Sequence, residues 1–139
     1  MSDPVAPRNQ TMAVAASALR AQQSRMRVIA ENIANANSTA PVAGGEPYRR
    51  QVPVFQTRSI DGASGVALAR VQPDQRDFRL EYEPGHPAAN EEGFVLRPNV
   101  DTLVESMDMR EAQRAYEANL NVIETARTME SRTLDLLKR

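Results

Sequence analysis

Thirteen of the chain's fifteen prolines and glycines lie between Pro41 and Pro98, and only Pro4 and Pro7 fall outside. Arg8 to Ala40 and Asn99 to Arg139 therefore contain neither residue. Proline removes a helix donor and glycine weakens a helix interior, so long helices are confined to those two stretches. The middle has to be irregular or β-rich. This distribution excludes a doubly wound α/β domain, in which strands and helices alternate throughout. The fold class it predicts is α+β: long N- and C-terminal helices pair as an antiparallel coiled coil, with a small β-rich domain inserted between them. The expected division is residues 1–37, 38–99 and 100–139, within one compact unit.

An alternating spacing of four and three runs through Met12, Ala16, Leu19, Gln23, Met26, Ala30 and Ile33. Only Gln23 is polar, and such spacing is a heptad seam. The expected N-cap is Asn9 or Thr11, after a frayed start at residues 1–8. Asn35-Ala36-Asn37-Ser38-Thr39 favours a turn and should end the helix. The second helix is expected from Asp101, with Thr102 and Glu105 as a capping box. Its stripe runs Ala112, Ala115/Tyr116, Asn119, Val122/Ile123, Ala126, Met129, Thr133 and Leu136/Leu137. The stripe is two residues wide in places, so it can face more than one neighbour. Helices of roughly 40 and 55 Å outreach a small globule. That favours burial of the surplus surface against other chains over a self-contained helical hairpin.

Five of the six aromatic residues (Tyr48, Phe55, Phe78, Tyr82, Phe94) sit in the middle segment, where an aromatic core would belong; the sixth is Tyr116. The helices must pack through small aliphatic side chains that bury little area each. They are expected to be partly disordered before assembly. Val52-Pro53-Val54-Phe55 reads as a strand with Pro53 at an edge or bulge, and Val66, Leu68 and Val71 follow the Asp61-Gly62 turn region. Phe78, Leu80 and Tyr82 alternate with charges, giving one apolar and one charged face, and Phe94-Val95-Leu96 is the last short strand. Pro84-Gly85 fits a type II turn.

Seventeen basic residues face 18 acidic ones, and no segment forms a basic field, so nucleic acid is not an expected partner. The chain has no cysteine. No apolar run is long enough to span a membrane, and the start lacks the pattern of an ordinary signal peptide. The single histidine, His86, sits in Pro84-Gly85-His86-Pro87 and reads as a turn residue. One histidine without cysteine is too little for a typical zinc site. No catalytic triad, paired-carboxylate arrangement or phosphate-cradling loop is evident. No catalytic residue, metal or cofactor is expected. Asn32, Asn35 and Asn37 have two readings, helix-end capping or hydrogen bonding in a packed interface. Asn119, on the apolar stripe, is the better candidate for fixing register.

Ser17-Ala18-Leu19-Arg20-Ala21-Gln22 followed by Ala30-Glu31-Asn32-Ile33-Ala34-Asn35-Ala36 resembles the N-terminal motif of bacterial flagellar axial proteins. Tyr82 to Ala88, Gly93-Phe94-Val95 and Pro98-Asn99-Val100-Asp101 resemble the middle domain of the proximal-rod proteins of the flagellar basal body. Ala112 to Leu137, with Arg114-Ala115-Tyr116-Glu117-Ala118-Asn119, resembles their C-terminal assembly helix. Together these stretches cover most of residues 17–137. The family-motif residues are Asn32, Asn35, Pro84, Gly85, His86, Pro87, Gly93, Pro98 and Asn99. The polar Ser2 to Gln10 departs from the short apolar, Phe-containing start usual in the family.

The resemblance implies a structural subunit and not an enzyme. It implies export through the flagellar type III apparatus without a cleaved signal. It also implies polymerisation with other rod proteins and with itself into the helical shaft that transmits torque across the periplasm. The implied assembly interface is Met12, Ala16, Leu19, Met26, Ala30 and Ile33 on the first helix. On the second it is Ala112, Tyr116, Asn119, Val122, Ile123, Ala126, Met129, Leu136 and Leu137. Met12, Leu19, Met26 and Ile33 are expected to pair with Tyr116, Ile123, Ala126, Leu137 or their neighbours. The rival readings are a cytoplasmic helical adaptor or chaperone of a secretion system and, more remotely, a cell-wall enzyme acting through His86.

Overall fold

The structure is a computed structural model and describes residues 6–138. Its elements run α1 (Ala6–Ala34), β1 (Gln51–Ile60), β2 (Ala63–Pro73), β3 (Arg79–Tyr82), β4 (Phe94–Arg97) and α2 (Thr102–Leu137), an α+β order. The two stretches free of proline and glycine supply both helices. α1 has 29 residues and α2 has 36.

The expected start of α1 is corrected, while α2 starts where expected, at Asp101, but with a different cap. α1 already runs from Ala6, so Asn9 and Thr11 lie inside it and neither is its cap. Pro7 falls in the first turn, where a missing N–H loses no intrahelical bond. The remainder of the expected frayed start, residues 1–5, lies outside the described residues. In α2 the cap is Asp101, whose Oδ1 accepts from Leu103 N at 3.0 Å and Val104 N at 3.4 Å. Thr102 and Glu105 form no capping box, because Glu105 turns inward to Arg50. α1 does end at the asparagine-rich cluster, with Asn35 Nδ2 donating to Glu31 O at 2.8 Å.

The described residues form two sheets of two antiparallel strands each. β1 and β2 pair from Gln51↔Pro73 to Ile60↔Ala63. The two-residue turn between them has positive φ at Asp61 (51°) and Gly62 (85°), the signature of type I′. The register slips between Val54 and Phe55, beside Pro53. Proline cannot donate to a ladder, and a bulge is where sheets accommodate it. This hairpin lies on α1. Ser17 Oγ accepts from Val66 N at 3.2 Å. A side chain at Gly65 would collide with Ile60 and Ser17, so glycine sets the close approach.

The second hairpin has the expected apolar and charged faces. Leu80, Leu96, Tyr82 and Phe94 share one face by register. That apolar face points outward, with Leu80 64% and Tyr82 66% exposed. On the opposite face Val95 is buried and Arg97 half-buried, while Arg79 and Glu81 are exposed. Arg97 Nη1 donates to Asn37 O at 3.1 Å, and Arg79 Nη2 to Ala36 O at 3.4 Å. These arginines satisfy carbonyls just past the C-terminal end of α1, where cations are favoured. Alternation alone does not reveal that pull. The turn at Glu83–His86 is closed by His86 N donating to Glu83 O at 3.0 Å. Gly85 is not among the residues with positive φ, so the turn is not type II. His86 Nδ1 accepts from Ala88 N at 2.9 Å, a local turn role.

No aromatic side chain is fully buried. The interior instead holds Val28, Val95, Val100, Pro98 and Ala112, together with Asn32 and Glu105. Asn32, 1% exposed, is neither a cap nor a bare interface residue. Its Oδ1 accepts from Gln51 N at 2.9 Å and Tyr48 Oη at 2.6 Å, and its Nδ2 donates to Gln51 O at 2.9 Å. Asn99 acts likewise, accepting from Arg50 N at 2.7 Å and donating to Asp74 O (3.1 Å) and Arg76 O (3.0 Å). Burial, then the nearby carboxylates of Glu31 and Glu105, push the Tyr48 hydroxyl pKa up, so it remains a donor to Asn32.

Arg50 ties three elements together. Its guanidinium donates to Glu105 Oε1 on α2 and to Asp74 Oδ2, at 3.1 Å, just past β2. Burial pulls the Arg50 pKa down, but Glu105 and Asp74 outweigh it and the net shift is upward. Burial pushes the Asp74 carboxyl up, yet the side chain and backbone N–H of Arg76, and then Arg50, hold it down at about 2.

Three outcomes follow for the isolated chain. Asn32→Ala leaves the Gln51 N–H and C=O without their partner and should cost about 1–3 kcal/mol in urea unfolding. Glu105→Ala removes one of the two carboxylates that Arg50 bonds, leaving Asp74, and should cost about 1–3 kcal/mol by the same measurement. Asp74 has a depressed folded pKa, so its contribution is fully present above about pH 4 and lost as the pH falls through about 2. Solvent screening limits that contribution to about 1–2 kcal/mol. Asp74→Asn should flatten that part of the stability–pH curve.

Candidate assembly surface

α1 packs against two neighbours with two adjacent strips. Ser17, Ala21 and Asn32 meet the first hairpin, while the other strip meets α2. Arg25 Nη2 lies 3.5 Å from Glu111 Oε2. Nearer the start of α1, Val14, Ala15 and Ala18 line a groove of about 550 Å³ with Asn119 and Val122 of α2 and with the turn of the first hairpin. Residue numbers rise along one helix as they fall along the other, so the two run antiparallel. Alanines at 15, 18 and 112 permit close approach of the backbones.

The expected seam of α1 is not the line along which it is buried. The positions with almost no exposure are Ala15, Ser17, Ala21, Val28, Ile29 and Asn32. At about 100° per residue, their centre lies roughly 140° around the helix from the heptad seam. Met12, Ala16, Leu19, Met26 and Ile33 are half-buried on the flank, and Gln23 and Ala30 are exposed. The buried strip escaped the sequence reading because it is built from alanine, serine and asparagine. What marks it is size, since small residues let the strand backbone come close.

The stripe of α2 divides along its length. Ala112 is fully buried, and Ala115, Tyr116, Asn119, Ile123, Ala126 and Thr133 are half-buried. Val122, Met129, Leu136 and Leu137 face solvent, with the last two 68% and 78% exposed. Val122, Met129 and Leu136 form an uncovered edge, while Leu137 lies in line with the half-buried Asn119, about five turns further along. The sequence reading missed the exposed Leu103, Val104 and Met107 near the start of α2. They precede the stripe and follow no regular spacing with it.

The family-motif residues cluster where the hairpins are fastened. Asn32, Asn99 and Pro98 are buried. Gly93 has φ 90°, and a side chain there would strike the Tyr82 ring. Asn35 closes the α1 end, and Pro84 to Pro87 form the exposed turn. Among the described residues, no group of histidine, cysteine and carboxylates is arranged to hold a metal ion, and no helix is long and apolar enough to cross a membrane. The chemistry this arrangement offers is apolar contact along two helices, with salt-bridged and amide-bonded hairpins beside them.

Comparison with known proteins bears on both ends of the chain. Residues 12–40 match the family model described as flagella basal body rod protein. Residues 91–136 match the flagellar basal body rod FlgEFG protein C-terminal model. The chain is 47% identical over 128 residues to the flagellar basal-body rod protein FlgC of Agrobacterium fabrum, covering 90% of this chain and 91% of the relative. It is 44% identical to the FlgC of Escherichia coli O6:H1 over 88% of this chain and 92% of that one. It is 37% identical to the FlgC of Bacillus subtilis over 90% and 95%. Similarity of this extent spans both helices and both hairpins, and the chain belongs to the FlgC family of flagellar basal-body rod proteins.

Proposed function

We propose that the chain is a structural subunit of the bacterial flagellar basal-body rod, not an enzyme. Its near-full-length similarity to FlgC proteins carries this reading. It works in the basal body, assembled with other rod proteins. The N-terminal portion, residues 1–37, and the C-terminal portion, residues 100–139, form the polymerising part, and residues 38–99 form a small domain held outside them.

The observation that favours assembly through the helices is the placement of their apolar residues. A soluble helix ordinarily turns its apolar stripe to its own core. Here the α1 seam lies on a flank, and Met129, Leu136 and Leu137 face outward on α2. In the shaft, Met12, Leu19, Met26 and Ile33 pack against the apolar edge of α2 helices with coiled-coil geometry. Many shallow contacts of this kind, repeated around a helical lattice, resist torque. The subunit reaches its site through the flagellar type III apparatus without a cleaved signal, and a chain free of cysteine suits unfolded passage.

Leu136→Asp places a charge on an exposed position and should leave the isolated fold unchanged by circular dichroism. It should nevertheless abolish swimming and remove the chain from purified basal bodies. Ile123→Asp, on the half-buried edge, should do the same while the protein is still made. Normal swimming in both would refute the assigned face. A cytoplasmic pool bound to export substrates, with none in basal bodies, would instead favour an adaptor or chaperone.

A further inference from the structure

The outward face of the second hairpin is an apolar surface without a cover in the subunit. Leu80 and Tyr82 carry it, with Phe94 and Leu96 half-buried beside them. Tyr82 and Phe94 form an edge-to-face pair with centroids 5.3 Å apart, so the patch has a rigid aromatic end. The adjoining turn presents Glu91 and Glu92, both exposed. Neither takes part in a salt bridge among the described residues. Two adjacent carboxylates without a cation repel one another.

A second exposed surface has the complementary chemistry. Leu103 and Met107, 70% and 62% exposed, begin a stripe on α2 that continues through Arg110 and Arg114. At about 100° per residue these four fall within about 60° of one another, on the side of α2 opposite Glu105 and Ala112. Arg110 and Arg114 are like charges one turn apart, a spacing that weakens a helix. Neither has a salt-bridge partner among the described residues. Each surface lacks what the other provides: an apolar pair to cover, and opposite charge beside it.

We propose that the β3–β4 hairpin of one subunit docks on the Leu103–Arg114 face of a second copy of this chain. Leu80 and Tyr82 cover Leu103 and Met107, while Glu91 and Glu92 approach Arg110 and Arg114. Because the two surfaces differ, the contact is heterologous, and repeated it grows an open helical array. This deepens the rod-subunit reading and rests on it. It gives the small domain a function of its own, as the lateral tie between neighbouring copies.

The chain has no cysteine, so a designed pair reports the contact alone. Basal bodies built with a Leu80→Cys, Met107→Cys chain should, on mild oxidation, yield a ladder at multiples of 15.4 kDa. Neither single variant should do so. A chain that enters basal bodies but gives no ladder overturns the docking and leaves the rod reading intact. Wild-type chain absent from basal bodies would defeat the rod reading itself. Charge reversal supplies an independent arm. Arg110→Glu with Arg114→Glu should shrink swimming halos several-fold, as should Glu91→Arg with Glu92→Arg. All four together should restore them. A quadruple variant no better than either double one overturns the proposal.

Discussion

The fold depends on two buried side-chain amides and one guanidinium that stand in for missing secondary structure. Each sheet has only two strands, and a lone hairpin is marginal in water. Asn32 presents to Gln51 the donor and acceptor that a neighbouring strand would present. Asn99 bridges the start of β1 to the segment that follows β2, accepting from Arg50 N and donating to Asp74 O and Arg76 O. Arg50 then joins that segment to α2 through Glu105 and Asp74. Remove these and the hairpins keep their turns but lose their attachment to the helices. Most of the fully buried apolar residues are alanine and valine, which bury little area each.

That division of labour explains which parts of the structure can be read from sequence. The placement of proline and glycine gave both helices, since their constraint on the backbone is local. The Asp61-Gly62 turn and the bulge beside Pro53 are local in the same way. What failed was anything set by tertiary partners. Glu105 looked like a capping residue until Arg50 claimed it. Alternation marked the two faces of the second hairpin but not which one points outward, which depends on the carbonyls at the end of α1 that Arg79 and Arg97 reach. The inward strip of α1 was passed over because alanine, serine and asparagine carry no hydrophobic signal.

The family resemblance was legible in the same residues that proved to be structural. Asn32, Gly93, Pro98 and Asn99 are the positions where the backbone is clamped or closely approached. The residues proposed for assembly are a different class. Met12 and Leu19 on α1, like Leu136 and Leu137 on α2, contribute little to the interior of a single chain. An exposed apolar stripe is costly to carry in water. In the proposed shaft, contact with neighbours would remove it from solvent. The subunit thus joins its parts partly by polar clamps and carries part of its apolar surface outward.

The most direct test of that claim is the solvent accessibility of the outward stripe in the two states. A Leu136→Cys chain should react quickly with a maleimide as a free subunit, since that position is open. In purified basal bodies the same thiol should be protected by a neighbouring helix. Labelling at equal rates in both states would contradict the account, because the stripe would then be uncovered where it is supposed to act.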